Sequence, residues 1–136
     1  MTIIRTAEAV GAAGVAITSN TVDPYNAKAV RASMGSILRL PVVPVGDPSD
    51  FIQKCKQMRY QTIATVLTGE KTPYDINLTI PSLVILGQEG LGLQQDIMDS
   101  IDFHVRIPMT AAIDSLNVAT AAAVILYEAV RQRLRK

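Results

Sequence analysis

Short apolar runs rich in β-branched residues alternate along the chain with longer segments whose apolar residues recur at helical spacing. The apolar runs predict strands at residues 15–18, 62–67, 82–86 and 103–107. The helical spacing predicts helices at residues 2–10, 26–34, 47–58, 94–98 and 117–136, with Asn26 as the N-cap of the second. Residues 38–45 are also apolar, but Pro41 and Pro44 argue against a regular central strand there. The alternation of strands and helices predicts an α/β fold with a mostly parallel sheet flanked by helices.

The length and composition fit one folded domain. The chain has 136 residues, of which 49% are hydrophobic and 18% charged, and its formal net charge is +1. Intrinsic disorder requires low hydrophobicity and high net charge, so this class of protein is excluded. The near-neutral balance is also not that of a protein that coats nucleic acid by charge alone, although it permits a local basic patch. No apolar run reaches the roughly 18 residues that a membrane span needs.

The cysteine and histidine content excludes several kinds of active site. Cys55 is the only cysteine and His104 the only histidine. Cys55 therefore has no partner for an internal disulfide or a Cys-type metal site, which fits a reduced cytoplasmic setting. A single histidine cannot assemble a triad or a zinc cage within one chain. We expect no metal in the site.

An arginine lies near the start of the first predicted helix, in the sequence Ile-Ile-Arg-Thr-Ala at residues 3–7. Arg5 would present a planar guanidinium that suits phosphate or carboxylate. The alternative is a solvated arginine on the polar face of the helix, which is the more frequent state of a surface charge.

A glycine-rich segment, Gly-Gln-Glu-Gly-Leu-Gly at residues 87–92, follows the predicted strand 82–86 directly. Glycines at this position let the backbone approach a ligand closely, at the end of the strand where α/β proteins bind their ligands. The spacing is that of neither a dinucleotide-binding fingerprint nor a P-loop. The alternative is a tight turn without a ligand.

A third segment combines Ile-Pro-Met at residues 107–109 with Ser-Leu-Asn-Val at residues 115–118. Ser115 or Asn117 is a good N-cap for the last helix, and that structural role is one explanation of the segment. The functional explanation requires Ser115 and Asn117 to face a pocket shared with the glycine-rich segment.

Taken together and in this order, the three segments resemble the TrmH (SpoU) branch of the SPOUT RNA methyltransferases. The family pattern is roughly N-x-G-x-x-x-R-T-A, then L-G-x-E-G-x-G, then I-P-M followed by S-L-N-V. The matching segments here are residues 3–7, 86–92, 107–109 and 115–118, and residues 23–35 are also similar to the family. The resemblance covers essentially the whole chain, and the combination of the second and third motifs is specific.

The resemblance implies methylation of a ribose 2′-hydroxyl in tRNA or rRNA, with S-adenosylmethionine as the methyl donor. It also implies a SPOUT-type α/β fold with a C-terminal trefoil knot, an exception to the rule against threaded chains. Family members are homodimers whose active site is completed at the dimer interface, and we expect a cytoplasmic homodimer here. Carried over by motif, Arg31 contacts RNA phosphate and the catalytic residues are Arg5, Glu89, Ser115 and Asn117. The cofactor-binding residues are Thr65, Leu86, Gly87, Gly92, Ile107, Met109 and Leu116.

The chain departs from the family pattern at its beginning. The Asn and Gly of the first motif would precede Thr2, and so would the first strand of the family's sheet. We therefore expect residues 1–136 to form a single catalytic domain that lacks the first strand and the N-terminal RNA-binding domain of many members. The alternative function is a non-catalytic homodimer that binds RNA or the cofactor and retains the fold. A generic nucleotide-binding α/β protein is a further alternative.

The proposed chemistry needs neither histidine nor metal. The sulfonium of S-adenosylmethionine already activates the methyl group, so the protein must bind it bent and place a ribose hydroxyl in line. A guanidinium with a pKa above about 12 is a poor base. We therefore assign Arg5 to fixing the phosphate and stabilising the developing alkoxide electrostatically.

Two features of the last predicted helix, its alanine-rich stripe and its basic end, each allow two interpretations. Its alanine-rich stripe suits packing on its own sheet or close approach of a second copy. Its basic end, residues 131–136, suits the helix dipole as well as RNA.

Overall fold

The computed structural model describes residues 2–18, 23, 25–87, 94–110 and 116–135 and divides the chain into two compact units, Met1–Pro48 and Ser49–Lys136. The first unit contains helix α1 (Thr2–Ala9), strand β1 (Val15–Thr18), helix α2 (Ala27–Ala32), a 3-10 helix (Ser36–Leu38) and strand β2 (Val42–Val45). The elements of the second unit are α3 (Pro48–Gln57), β3 (Gln61–Thr65), a 3-10 helix (Pro73–Asp75), β4 (Ser82–Leu86), α4 (Gln95–Ser100), β5 (Phe103–Val105) and α5 (Val118–Leu134).

In the first unit, β1 and β2 pair in parallel with Val15 opposite Val42. Ile4 and Ala7 lie on the same face of α1, because they are three residues apart. This face is buried and packs against Ile37 and Leu40. Within the described residues β2 pairs with β1 alone, so its Pro44 lies in an edge strand. This agrees with the prediction that the proline-containing segment would not form a central strand.

The second unit is built on a parallel sheet in the order β4-β3-β5. Its strands are apolar on both faces, as parallel strands covered by helices are. One face packs against α5 and the other against α3 and α4. The residues of the first core are Ile63, Ile76, Leu78, Val105 and Ile125, and those of the second are Ile52, Ala64, Ile97 and Ile101. Adjacent residues of β3 thus serve opposite cores, as the period of a strand requires.

The predicted fold class is confirmed: helices flank parallel strands in both units. The observed strand β4 has the predicted bounds, residues 82–86. Strand β5 is shorter than predicted, because it ends at Val105 and not at residue 107. The predicted caps Asn26 and Asn117 are both present. The sequence pattern missed both 3-10 helices, because three residues are too few to show a period.

Candidate functional site

The carboxyl ends of β3 and β4 bring three of the predicted cofactor-binding residues together. Thr65 is the last residue of β3 and lies opposite Leu86, the last residue of β4, with Gly87 next along the chain. On its other side Thr65 lies opposite Val105 of β5. All three predicted residues are half-buried, so they remain partly accessible at the edge of the sheet. Ligands of parallel α/β sheets bind at this edge.

The third strand carries Ile107 just beyond the same edge. β5 ends at Val105, and Ile107 and Met109 follow in extended chain, both half-buried. The backbone N–H of Arg106 donates to the Lys71 carbonyl at 2.8 Å, so the preceding loop holds this chain in place. The strand ends and the segment after β5 therefore form one continuous edge of backbone and aliphatic side chains.

The loop beside β5 is packed more closely than the sequence indicated. A Cβ at Gly69 would lie 2.6 Å from the Val105 carbonyl carbon and 2.7 Å from the Arg106 nitrogen. Only glycine allows this approach without a shift of the backbone. The sequence pattern predicts a polar loop over residues 68–79, and Gly69 was the one signal of a close contact.

The same loop is stiffened by a capping box. The Thr72 N–H donates to Asp75 Oδ2 at 2.8 Å, and Tyr74 N–H donates to Thr72 Oγ1 at 3.3 Å. The Thr72 hydroxyl also donates to Asp75 Oδ2, at 3.1 Å, and these two hydrogen bonds from Thr72 to Asp75, with smaller contributions from Lys71 and Arg106, lower the pKa of Asp75. The loop therefore keeps an ionised carboxylate beside two cations at neutral pH.

Asn117 begins α5 as an N-cap. Its side-chain Oδ1 accepts hydrogen bonds from Ala119 N–H at 2.7 Å and Thr120 N–H at 3.3 Å. Asn117 is exposed and Leu116 before it is half-buried. The structural role that the sequence offered for Asn117 is thus present, and these bonds to the described residues use only its amide oxygen.

The far end of α5 is fixed to the loop after β3 by side chains that sequence reasoning missed. Gln132 Oε1 accepts from Leu78 N–H at 2.7 Å, and Gln132 Nε2 donates to the Ile76 carbonyl at 3.1 Å. Arg133 Nε donates to the Leu78 carbonyl at 3.0 Å. Glu128, which is buried, also accepts from Gln132 at 3.1 Å. These bonds hold the helix that carries Asn117 at a defined height on the sheet.

Arg5 and Arg31 belong to the first unit. Both are exposed, and within the described part of the chain neither forms an ion pair. Ile4, the residue before Arg5, is fully buried, so the backbone of this turn is fixed while the guanidinium faces solvent. The solvated-arginine explanation fits this geometry as well as the phosphate-binding one does.

Three predicted residues, Glu89, Gly92 and Ser115, lie outside the described residues. The structure thus brings Thr65, Leu86 and Gly87 together, and Ile107 follows the end of the neighbouring strand β5. Among the described residues, no group of three or more His, Cys, Asp or Glu side chains could hold a metal ion. None of the helices in these described ranges is long and apolar enough to cross a membrane.

Comparison with known proteins finds similar proteins that match nearly the whole chain. The model of the SpoU rRNA Methylase family matches residues 2–127. A 23S rRNA (uridine(2479)-2'-O)-methyltransferase of Streptomyces viridochromogenes is 39% identical in an alignment of 137 positions that covers 97% of this chain and 48% of the relative. The chain spans about half the length of the curated relatives it matches.

Two solved structures are close in backbone. The SpoU methyltransferase AviRb from Streptomyces viridochromogenes, in complex with the cofactor AdoMet, matches with a TM-score of 0.90 and 38% identity, over 98% of this chain and 52% of that one. The A. aeolicus TrmH/SpoU tRNA modifying enzyme matches with a TM-score of 0.87 and 30% identity, over 98% of this chain and 68% of that one.

Proposed function

The chain belongs to the SpoU rRNA methylase family, and on that premise we propose that it transfers a methyl group from S-adenosylmethionine to a ribose 2′-hydroxyl of rRNA or tRNA. The observation that carries this proposal is the meeting of Thr65, Leu86 and Gly87 at adjacent strand ends, with Ile107 two residues beyond the end of β5, the next strand. The similar proteins named as 2′-O-methyltransferases, and the similar structure that holds AdoMet, support it.

The residues at this edge fit the cofactor in two respects. Leu86, Ile107 and Met109 at this edge are apolar and half-buried, and so is Leu116 before α5; such side chains suit the flat, weakly polar face of an adenine. Gly87 has no side chain to keep a ligand from the backbone. We assign these residues, together with Thr65 and Gly92, to the cofactor pocket, with backbone N–H and C=O groups as the main polar contacts.

When bound, the cofactor supplies a methyl group activated by its positive sulfur. In the reaction the ribose 2′-oxygen would bond to the methyl carbon as the carbon–sulfur bond breaks, which leaves S-adenosylhomocysteine, and the hydroxyl proton would pass to solvent water. Arg5 binds the RNA phosphate and stabilises the negative charge that develops on the 2′-oxygen. Glu89, Ser115 and Asn117 orient the ribose, and Arg31 holds a neighbouring phosphate as a charge-assisted contact.

The assembly is part of the same proposal. We propose a cytoplasmic homodimer with a C-terminal trefoil knot, and a single catalytic domain over residues 1–136. Tyr127 and Leu134 support the dimer, because they are exposed and lie seven residues apart on one face of α5. Such an apolar stripe is suited to a second copy of the helix.

Methyl transfer to RNA tests the proposed function directly. The 136-residue chain is incubated with tritiated S-adenosylmethionine and unmodified rRNA or tRNA, and the digested RNA is analysed for 2′-O-methylnucleosides by mass spectrometry. We expect label in a 2′-O-methylnucleoside of one RNA class. Label on a base, or no transfer despite RNA and cofactor binding, would contradict the proposal and favour a non-catalytic binding protein.

A further inference from the structure

Three polar side chains of the first unit form a cluster that the sequence motifs do not account for: Glu8, Ser36 and Arg39, here called the Glu8 cluster. Arg39 Nε donates to Glu8 Oε2 at 2.8 Å, and Arg39 Nη2 donates to Oε1 at 2.8 Å. Ser36 Oγ donates to Glu8 Oε1 at 3.0 Å. Paired hydrogen bonds between a guanidinium and a carboxylate fix direction as well as distance. The cluster therefore joins α1 to the 3-10 helix Ser36–Leu38 in a defined orientation.

The cluster lies next to the apolar contact between the same two elements. Ile4 and Ala7 of α1 pack against Ile37 and Leu40. Apolar burial is non-directional, so it holds the two elements together without fixing their rotation. The Glu8 carboxylate supplies the missing constraint. Hydrogen bonds from Arg39 lower the pKa of Glu8, which keeps this carboxylate ionised at neutral pH.

One of the two elements that the cluster joins, α1, carries Arg5, and the other follows the turn after the helix of Arg31. Arg5 lies three residues before Glu8 on α1, about one helical turn away. Arg31 lies in the last turn of α2, which ends at Ala32, and in the tight turn that follows Met34 has a φ of 54° and Gly35 a φ of 83°. Met34 N–H donates to the Arg31 carbonyl at 3.1 Å, and Arg39 Nη2 reaches the Met34 carbonyl at 3.5 Å.

We propose that Glu8 is a positioning residue for RNA methylation, which fixes the helix of Arg5 relative to the turn that follows Arg31. This proposal rests on the proposed function. Glu8 itself does not touch substrate; it acts by holding Ser36 and Arg39. Two arginines that bind the same RNA need a fixed separation, because a small misplacement of charged groups costs much of the transition-state stabilisation.

The test uses Glu8→Gln, which keeps the size of the side chain and removes its charge. The control is Glu70→Gln, at an exposed glutamate outside the cluster. Both full-length variants are compared with the wild type for single-turnover methyl transfer, RNA affinity and affinity for S-adenosylhomocysteine. We expect Glu8→Gln to lower the methylation rate and RNA affinity about tenfold or more. The affinity for S-adenosylhomocysteine should stay within about twofold, and Glu70→Gln should behave as the wild type does.

A double-mutant cycle separates positioning from general stability. If Glu8 and Arg39 act as one unit, the double variant Glu8→Gln with Arg39→Ala loses no more activity than either single variant. Arg39→Lys keeps the charge but not the paired geometry, so its activity should be intermediate.

The outcomes distinguish this proposal from the proposed function. If Glu8→Gln keeps the wild-type rate and RNA affinity, the positioning role is wrong and the proposed function is unaffected. The same holds if its affinity for S-adenosylhomocysteine falls as much as its rate. A wild-type chain that binds RNA without methylating it contradicts the proposed activity, while its RNA affinity still tests Glu8. A wild-type chain that neither methylates nor binds RNA overturns both.

Discussion

Thr62 and Asp102 hold each other by reciprocal hydrogen bonds at the beginning of two neighbouring strands. The Thr62 N–H donates to Asp102 Oδ2 at 2.9 Å, and the Asp102 N–H donates to Thr62 Oγ1 at 2.8 Å. Lys56 Nζ lies 3.4 Å from Asp102 Oδ1. The pair fixes the register of β3 and β5 at the end of the sheet opposite the candidate cofactor site.

The stability that Asp102 supplies depends on pH. Partial burial raises the pKa of Asp102. Hydrogen bonds from Thr62 and the charge of Lys56 together lower it by more than burial raises it, so the pKa in the folded protein lies below the ordinary value. This stabilisation is complete above the unfolded pKa of about 3.9 and is lost as the pH falls through the folded pKa. We expect Asp102→Asn to unfold at lower urea than the wild type near pH 7. The difference in urea midpoint between the two proteins should shrink below about pH 4, and an unchanged difference in midpoint there would contradict the role of the carboxylate.

The close approach of the loop to β5 predicts contrasting effects for two glycines. At Gly69 a Cβ would meet three backbone atoms of β5 and the following residue within 2.8 Å, whereas at Gly46 it meets nothing within 4 Å. Gly69→Ala should therefore destabilise the protein by about 1–3 kcal/mol. Gly46→Ala should be neutral or stabilise by up to about 1 kcal/mol. Thermal unfolding of both variants measures this, and equal melting temperatures would show that the loop can move away.

Asn117 can be tested for its two roles separately. Asn117→Ala should cost about 1 kcal/mol, because two N–H groups of α5 lose their acceptor. Asn117→Asp keeps the cap and suits the helix dipole, so its stability should match that of the wild type. If the amide also supports catalysis, both variants lose methyl-transfer activity. Full activity in Asn117→Asp would restrict this residue to capping.

Arg5→Lys tests the electrostatic role of the guanidinium. Lysine keeps the charge but offers no planar pair of donors, so we expect the methylation rate to fall about a hundredfold. Stability should not change, since the Arg5 side chain is exposed. Lys54→Arg, an exchange of an exposed cation on α3, is the control and should keep the wild-type rate. Near-full activity of Arg5→Lys would exclude the two-point contact.

Local patterns predicted the elements and their caps, because those depend on neighbours in sequence. Asn26 and Asn117 were recognised as caps from residue type and position alone, and both accept N–H groups of the helix that follows. The placement of Thr65 beside Leu86 follows from parallel pairing of two apolar runs.

Contacts between distant residues left little trace in the sequence. The bond between Gln132 and Leu78 joins positions 54 residues apart, and no periodicity records it. Glu128 interrupts the apolar stripe of α5 and is nevertheless buried, since Arg131 and Gln132 supply its partners. The Glu8 cluster was missed for the same reason, because Arg39 is 31 residues away from Glu8.

The central claim is that one molecule of S-adenosylmethionine binds at the carboxyl ends of β3, β4 and β5. A crystal structure of the 136-residue chain with S-adenosylhomocysteine measures this most directly. We predict contacts from the ligand to the backbone of Gly87, Ile107 and Leu116. A ligand bound elsewhere, or these three segments too far apart to share it, would contradict the account.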